Sequence, residues 1–186
     1  MRVQILREAG YEEAMLGLSL SWASNKDRSK QIAPKLSQMP GGHNKFLESI
    51  MVWMDITAPR YWWSEMDTYR VGVTKQSEST MHTITKRHLN QSDFERPVEL
   101  DRINNLIDEY HRIDSDKKSF LVWIKNTLPE GFLQRRIVCT NYKALQNIYH
   151  QRKSHRLPEW SVFCDSLLGL EHSEFIFGSK DDGSDG

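Results

Sequence analysis

The sequence predicts an α+β domain in which helices flank an antiparallel sheet. Three observations favour this class. Several segments carry apolar residues at spacings of three and four, which is the period of an amphipathic helix. Shorter segments alternate apolar with polar residues or are rich in β-branched residues, as strands are. The two kinds of segment do not follow one another in a regular βαβ order, so a parallel sheet is not expected.

The N-terminal half is predicted to begin with a strand at the edge of the sheet. In residues 1–6, Val3 and Ile5 alternate with polar neighbours. A helix is predicted at 11–22, with two acidic residues in its first turn. The remaining elements of this half are predicted to be a loop at 24–30, a short helix at 33–39, a helix at 43–50 with Phe46 and Leu47 inward, a strand at 51–57, and a helix from Pro59, at position N1, through residue 68.

The C-terminal half contains the clearest helix, at 98–113, where apolar residues recur every three or four positions. Two polar segments precede it. Residues 71–81 are rich in Ser and Thr and predict a loop over a cleft, and within 83–96 Asp93 is placed to cap a turn. The remaining elements are predicted to be a helix at 117–126, a strand at 135–140, and helices at 142–152 and 158–168.

Length and composition limit the class of protein. The 186 residues suit one domain over 1–177, and the composition of 178–186 predicts a disordered tail. Basic and acidic residues balance at 25 each, so no broad basic field for nucleic acid is indicated. No apolar run approaches the ~18 residues of a membrane helix, and a cytoplasmic protein is expected. Cys139 and Cys164 suit buried free thiols, and no cluster with metal-ligand spacing is present.

Most groups that could hold a small polar ligand lie between residues 41 and 82. His43 follows two glycines at a helix start, where the helix dipole favours a neutral imidazole or a bound anion. A surface or capping His is the structural alternative. The polar run from Lys75 to Thr80 could cradle a phosphate, or it could be a solvated loop. The aromatic residues 61–63 could stack on a ring system, although their helical spacing is more typical of a core.

The order of several segments resembles a known family. The segments are GHNKFLESI, ITAPRYWWSEMDTYRVG, QSESTMH and LPEGFLQRRIVCTNYKALQNIYHQR. Their order and spacing resemble those of the flavin-dependent thymidylate synthases, the ThyX family. The spacing holds without gaps over residues 41–72 and 125–152 and is coarser elsewhere.

This resemblance implies a fold, a reaction and a set of ligands. Family members are α+β homotetramers with active sites at subunit interfaces. They use FAD to pass reducing equivalents from NADPH, and a methylene group from methylenetetrahydrofolate, to dUMP. The resemblance therefore implies FAD as cofactor, NADPH and methylenetetrahydrofolate as co-substrates, and a pyrimidine deoxynucleotide as substrate.

The resemblance also implies roles for individual residues. His43 matches the family's active-site His, and Arg152 matches the Arg that grips the pyrimidine, so both are assigned to catalysis. The residues implied to bind the cofactor are Arg70, Asn141 and Asn147, and those implied to bind the substrate are Glu65, Ser79, Lys125 and Arg152.

The sequence departs from the family's pattern at several of these positions. The family's Arg-His-Arg triplet is Thr68-Tyr69-Arg70 here, and Glu65 replaces a Gln. No Arg lies between Arg70 and Arg87, where the family has a phosphate-clamping Arg. Three functions are therefore left open: a divergent thymidylate synthase, a nucleotide-binding protein that has lost flavin chemistry, and an enzyme that modifies a pyrimidine nucleotide in another way.

Overall fold

The computed structural model describes residues 1–21 and 25–178 of the chain, and within them four strands form one sheet. The sheet is antiparallel, with the strand order β1-β2-β4-β3, and helices accompany it, so the predicted α+β class is confirmed. The predicted tail lies outside the described residues, apart from Gly178. The strands are β1 (Arg2–Ala9), β2 (Met51–Pro59), β3 (Val73–Ser77) and β4 (Leu133–Asn141).

The helices differ widely in length, from four to twelve residues. Short 3-10 turns at Lys45–Ser49, Gln91–Asp93 and Leu167–Gly169 connect some of them. The helices are α1 (Tyr11–Leu20), α2 (Lys26–Ser37), α3 (Arg60–Met66), α4 (Thr80–Thr83), α5 (Asp101–Arg112), α6 (Lys117–Thr127), α7 (Tyr142–Arg152), α8 (Pro158–Ser166) and α9 (Glu174–Phe177).

Backbone hydrogen bonds at the ends of β4 show the antiparallel register. The Tyr142 amide, just after β4, donates to the Ile50 carbonyl, just before β2, at 3.0 Å. At the opposite end the Arg60 amide donates to the Phe132 carbonyl at 3.1 Å. β1 is an edge strand, as predicted, and β3 is the other edge.

The chain divides into two compact units. The first comprises Met1–Arg2, Ile56–Thr68 and Gln76–Arg136. Helices α5 and α6 each bury one apolar face in its core, which matches the predicted period of α5. The buried apolar residues of this core are Ile84, Leu89, Phe94, Ile103, Leu106, Ile107, Leu121, Ile124 and Leu128.

The second unit comprises the described residues of 3–55, 69–75 and 137–178. Helix α7 is central to it, since it contacts α8, α9 and the turn Lys45–Ser49. Large side chains fill this core. Among its fully buried residues are Met15, Leu47, Ile50, Met54, Tyr142, Trp160, Phe163 and Phe175.

Two predicted loops were wrong. Within the loop predicted at 24–30, the residues from Lys26 onward form the start of α2, and Ser24 lies outside the described residues. Asn25 caps this helix, because its side-chain oxygen accepts the Arg28 amide at 2.9 Å. The loop predicted at 71–81 contains strand β3. Its polar residues are tolerated because an edge strand pairs on one side only and faces solvent on the other.

Other boundaries shifted by a few residues. Pro59 is the last residue of β2 and precedes α3 as its cap, instead of occupying the first helical position. Helix α5 begins at Asp101 instead of Val98, because the Val98 amide and carbonyl both bond to the side chain of Gln91. Trp62 and Trp63 are buried in the core, which confirms the structural interpretation of these two aromatic residues.

Candidate functional site

Helix α7 carries three of the predicted site residues at its start, middle and end. The Asn141 side-chain oxygen accepts the Ala144 amide at 2.9 Å and so caps the helix. Asn147 lies six residues further along, and Arg152 is the last residue of the helix. A buried face, which includes Leu145 and Ile148, holds this helix rigidly in the second unit.

A cavity of about 560 Å³ lies beside the first turns of α7, and it brings Asn141 and Asn147 together. We refer to it as the α7 cavity. A volume of this size is typical of a small-molecule site. It is lined by Glu48, Val71, Gly72, Asn141, Lys143, Ala144, Gln146, Asn147 and His150.

Gly72 shapes one wall of the α7 cavity. Its φ of 69° is in the left-handed region, which side chains with a Cβ rarely adopt. A Cβ at this position would also lie 2.9 Å from the Asn141 Nδ2 atom. Only glycine therefore allows the backbone at position 72 to lie this close to the Asn141 side-chain amide.

The electrostatic character of the α7 cavity is mixed. Glu48 contributes a carboxylate and Lys143 an ammonium group. Burial lowers the pKa of His150, and the nearby Lys153 lowers it further. A neutral imidazole at the cavity wall can donate one hydrogen bond and accept another. The cavity thus offers donors and acceptors of several kinds to a polar ring.

Arg152 lies in a cluster of polar and aromatic side chains beside α7. Its Nε donates to the Tyr69 hydroxyl at 2.8 Å, and its guanidinium lies 4.7 Å from the centre of the Trp160 ring. The Tyr69 hydroxyl donates to Gln151 Oε1 at 3.0 Å, and Gln151 Nε2 donates to Asn147 Oδ1 at 3.0 Å. Asn147 and Arg152, which do not share a helix face, are thus joined through two intermediate side chains.

Arg70 is in the same unit and is exposed. Its carbonyl accepts the Val73 amide, which begins β3. Its guanidinium makes no hydrogen bond or ion pair with any residue in the described part of the chain. This cation is therefore available to an anionic group of a ligand.

His43 borders a second cavity, of about 600 Å³, which we call the His43 cavity. The neighbouring Asn44 is buried, and its side-chain amide donates to the Ser37 carbonyl at 3.3 Å, which anchors the residue that follows His43. The imidazole itself is exposed and has no bonded partner among residues 1–21 and 25–178. The lining comes from α1, Leu36 and the segment 41–49, and it includes Glu48, which also borders the α7 cavity.

The other three predicted residues belong to the first unit. Glu65 is half-buried in the last turn of α3, and its carbonyl accepts the Thr68 amide at 3.1 Å. Ser79 is exposed and precedes α4 without a side-chain capping bond. Lys125 is half-buried in α6. The structure places these side chains on three different helices or helix ends of this unit.

Sequence reasoning missed several residues that border the sites, including Glu48, Gln151 and Trp160. Lys143 and His150 were detectable, because they lie four residues before and three residues after Asn147 and therefore share its helix face. Trp160 gave no such signal, since its contact with Arg152 depends on how α8 packs on α7.

Metal binding and membrane crossing would each require a particular arrangement of side chains within residues 1–21 and 25–178. No group of three or more His, Cys, Asp or Glu side chains is arranged there to hold a metal ion. No helix in the same ranges is both long and apolar enough to span a bilayer.

Comparison with solved structures identifies the fold. No protein-family model and no curated protein matches the sequence. The chain has the fold of the flavin-dependent thymidylate synthases. It is similar to Thymidylate Synthase X (ThyX) from Helicobacter pylori in a crystal structure with FAD and dUMP. The TM-score is 0.74 and the identity 18%, over 95% of this chain and 97% of that chain.

A second structure of flavin-dependent thymidylate synthase ThyX from Helicobacter pylori, complexed with FAD and dUMP, gives a TM-score of 0.72. The identity is 17%, again over 95% of this chain and 97% of that one. At such identities the likeness establishes the fold of the chain and nothing finer.

Proposed function

We propose that this protein is a divergent thymidylate synthase-like enzyme that binds FAD and methylates a pyrimidine deoxynucleotide, converting dUMP to dTMP with NADPH and methylenetetrahydrofolate. The observation that supports this most directly is the α7 cavity. It joins Asn141 and Asn147, two of the three residues that the resemblance assigns to the flavin, in one space of about 560 Å³. Both Helicobacter pylori ThyX structures of the same fold were solved with FAD and dUMP.

The residues of the α7 cavity suit a flavin ring. Such a ring needs hydrogen-bond donors and acceptors along its edge and close approach to its face. Asn141, Asn147 and the neutral His150 offer both kinds of group, and Gly72 leaves the wall without a side chain. When bound, FAD would supply the hydride-transfer chemistry, and the protein would supply binding and orientation.

The remaining residues would bind the substrates. Arg152 would hold the pyrimidine, Lys125 and Ser79 would bind the nucleotide, and Glu65 would border it. His43 would donate to a ligand near the reacting centre, for which its exposed imidazole is available. In a homotetramer these residues can come from different copies of the chain, because the resemblance implies active sites at subunit interfaces.

The visible absorption spectrum tests this proposal. Purified protein is incubated with FAD, desalted and measured, beside a Gly72→Val variant in which the added side chain obstructs the cavity. Retained flavin bands in the wild type, reduced in the variant, are expected. Mass spectrometry of the product from dUMP then distinguishes dTMP from a differently modified pyrimidine. A wild-type protein that stays colourless would contradict flavin binding.

A second candidate function is nucleotide binding without flavin chemistry. The two altered positions of the triplet make bonds within the chain: the Thr68 hydroxyl donates to the Glu65 carbonyl at 2.7 Å, and the Tyr69 hydroxyl bonds to α7 side chains. Neither supplies the positive charge found in the family. Calorimetric titration of the flavin-free protein with dUMP tests this function, and micromolar affinity without FAD retention would favour it.

A further inference from the structure

The Tyr69 hydroxyl makes two hydrogen bonds to consecutive residues of α7. It accepts from Arg152 Nε at 2.8 Å and donates to Gln151 Oε1 at 3.0 Å. Lys75 Nζ donates to the Tyr69 carbonyl at 2.9 Å, which holds the backbone at this position. Hydrogen bonds therefore hold Tyr69 both at its backbone and at its hydroxyl.

Two aromatic rings lie close to the Arg152 guanidinium. The Trp160 ring centre is 4.7 Å and the Tyr69 ring centre 5.5 Å from its Cζ. Trp160 is fully buried and packs edge-on against Phe163 at 5.7 Å, so its ring cannot easily move. The Arg152 guanidinium makes cation–π contacts with two rings and a directional hydrogen bond at Nε. Together these contacts restrict its orientation far more than that of an Arg side chain without them.

Tyrosine is the residue type that this arrangement requires. A phenol hydroxyl carries one proton to donate and two lone pairs to accept, so one atom serves both α7 side chains. A single imidazole nitrogen can donate or accept but not both, and a protonated imidazole would repel the guanidinium. A Phe would keep the ring contact and lose both hydrogen bonds.

We propose that Tyr69 is a positioning residue that fixes the orientation in which the Arg152 guanidinium meets the nucleotide. The role of Arg152 towards the nucleotide rests on the proposed function. The orientation of Arg152 by Tyr69 is a property of the chain itself and can be measured without any ligand.

The test compares Tyr69→Phe with Tyr149→Phe. Tyr149 is on α7, contacts Phe177 through its ring at 4.6 Å, and its hydroxyl has no hydrogen-bond partner among the described residues. Both variants thus lose one hydroxyl, but only the first loses the bond to Arg152. The Arg152 Nε–H resonance, assigned by its disappearance in Arg152→Lys, reports the orientation by NMR. Calorimetry with dUMP reports the affinity.

We expect Tyr69→Phe to shift the Arg152 Nε–H resonance, to speed its exchange with water, and to weaken dUMP binding about five- to tenfold. Tyr149→Phe should leave both quantities unchanged. An unchanged Nε–H resonance in Tyr69→Phe would overturn the proposal, as would an altered resonance with unchanged dUMP affinity. If the wild type does not bind dUMP while the resonance responds as expected, the proposed function fails and the positioning of Arg152 by Tyr69 stands.

Discussion

The buried hydroxyl of Tyr142 takes part in hydrogen bonds that connect distant segments of the second unit. Tyr142 is fully buried, and its hydroxyl donates to a carboxylate oxygen of Glu8 and accepts the His172 amide at 3.2 Å. The other Glu8 oxygen accepts the Glu171 amide at 2.9 Å. One phenol and one carboxylate therefore connect β1, α7 and the segment before α9.

A pH dependence of stability follows from this contact. Burial, and next the Glu8 carboxylate, raise the pKa of Tyr142 above its ordinary value of 10.0. Above pH 10.0 the unfolded chain loses the phenol proton while the folded chain keeps it, so ionisation favours unfolding. The protonated Tyr142 phenol therefore contributes its full stabilisation below pH 10.0, and this stabilisation is lost as the pH rises further.

Urea unfolding at about pH 9 and about pH 11 measures this effect. The free energy of unfolding should fall more steeply in the wild type than in Tyr142→Phe, which has no phenol to ionise at this position. Tyr149→Phe serves as the matched control and should keep the wild-type slope. Equal slopes for the wild type and Tyr142→Phe would exclude Tyr142 as the source.

Gly72 and Gly17 allow a paired prediction at the same scale. Gly72→Ala should lower the free energy of unfolding by about 1–3 kcal/mol, because its φ is 69° and the new methyl group would crowd Asn141. Gly17 is inside α1, with no atom within 4 Å of an added Cβ. Gly17→Ala should raise stability by about 0.5–1 kcal/mol. Thermal and urea unfolding measure both changes, and a destabilised Gly17→Ala would contradict this interpretation of the two sites.

Among the elements, α7 shows what the sequence determines well. The prediction of a helix over 142–152 matches its observed bounds, because its apolar residues are periodic and a capping Asn precedes it. By contrast, α2 has few apolar residues and contains Pro34. It buries Ser29 and Ser37, whose hydroxyls bond to backbone carbonyls four and three residues before them. Such burial of polar side chains leaves no hydrophobic pattern to detect.

In the candidate site, too, some features could be predicted from the sequence and others could not. Asn141, Asn147 and Arg152 could be predicted as site residues because they lie on or next to one helix that the resemblance covers without gaps. The bond between Tyr69 and Gln151 joins residues 82 positions apart, and no local pattern encodes it. Strand β3 was hidden for a comparable reason, since its pairing with β4 depends on partners far away in the chain.

Two substitutions of Asn141, which caps α7, can separate its role in helix stability from its proposed role in cofactor binding. Asn141→Ala removes the acceptor for the Ala144 amide and should lower stability by about 1 kcal/mol. Asn141→Asp keeps that acceptor and should retain stability, but it replaces the amide donor with a carboxylate at the α7 cavity. We expect FAD retention to fall in both variants and stability to fall only in Asn141→Ala. Full FAD retention by Asn141→Asp would show that the side-chain amide does not bind the cofactor.

At the scale of the whole molecule, apolar side chains remain on the surface of the described chain. Association would remove them from water. The large exposed ones are Leu6, Leu16, Leu20, Val71, Met81, Val122, Trp123, Val162 and Leu168.

The resemblance implies that this association is a homotetramer, and we expect that state. Light scattering after size-exclusion chromatography should give four times the chain mass of 21.8 kDa. A dilution series controls for weak association. A mass equal to that of one chain at micromolar concentration would contradict the tetramer and, with it, any site assembled from several copies.

The contact of Tyr142 with Glu8 and His172 also bears on the order of events during synthesis at the ribosome. Most of the first unit's core lies within residues 84–128 and can form once that stretch has emerged. In the second unit, the bonds from the Glu171 and His172 amides to Glu8 and Tyr142 cannot form until residues 171 and 172 have been synthesised. The Glu8 carboxylate of β1 therefore gains its bond to the Glu171 amide only after a segment 163 residues further along the chain has been synthesised.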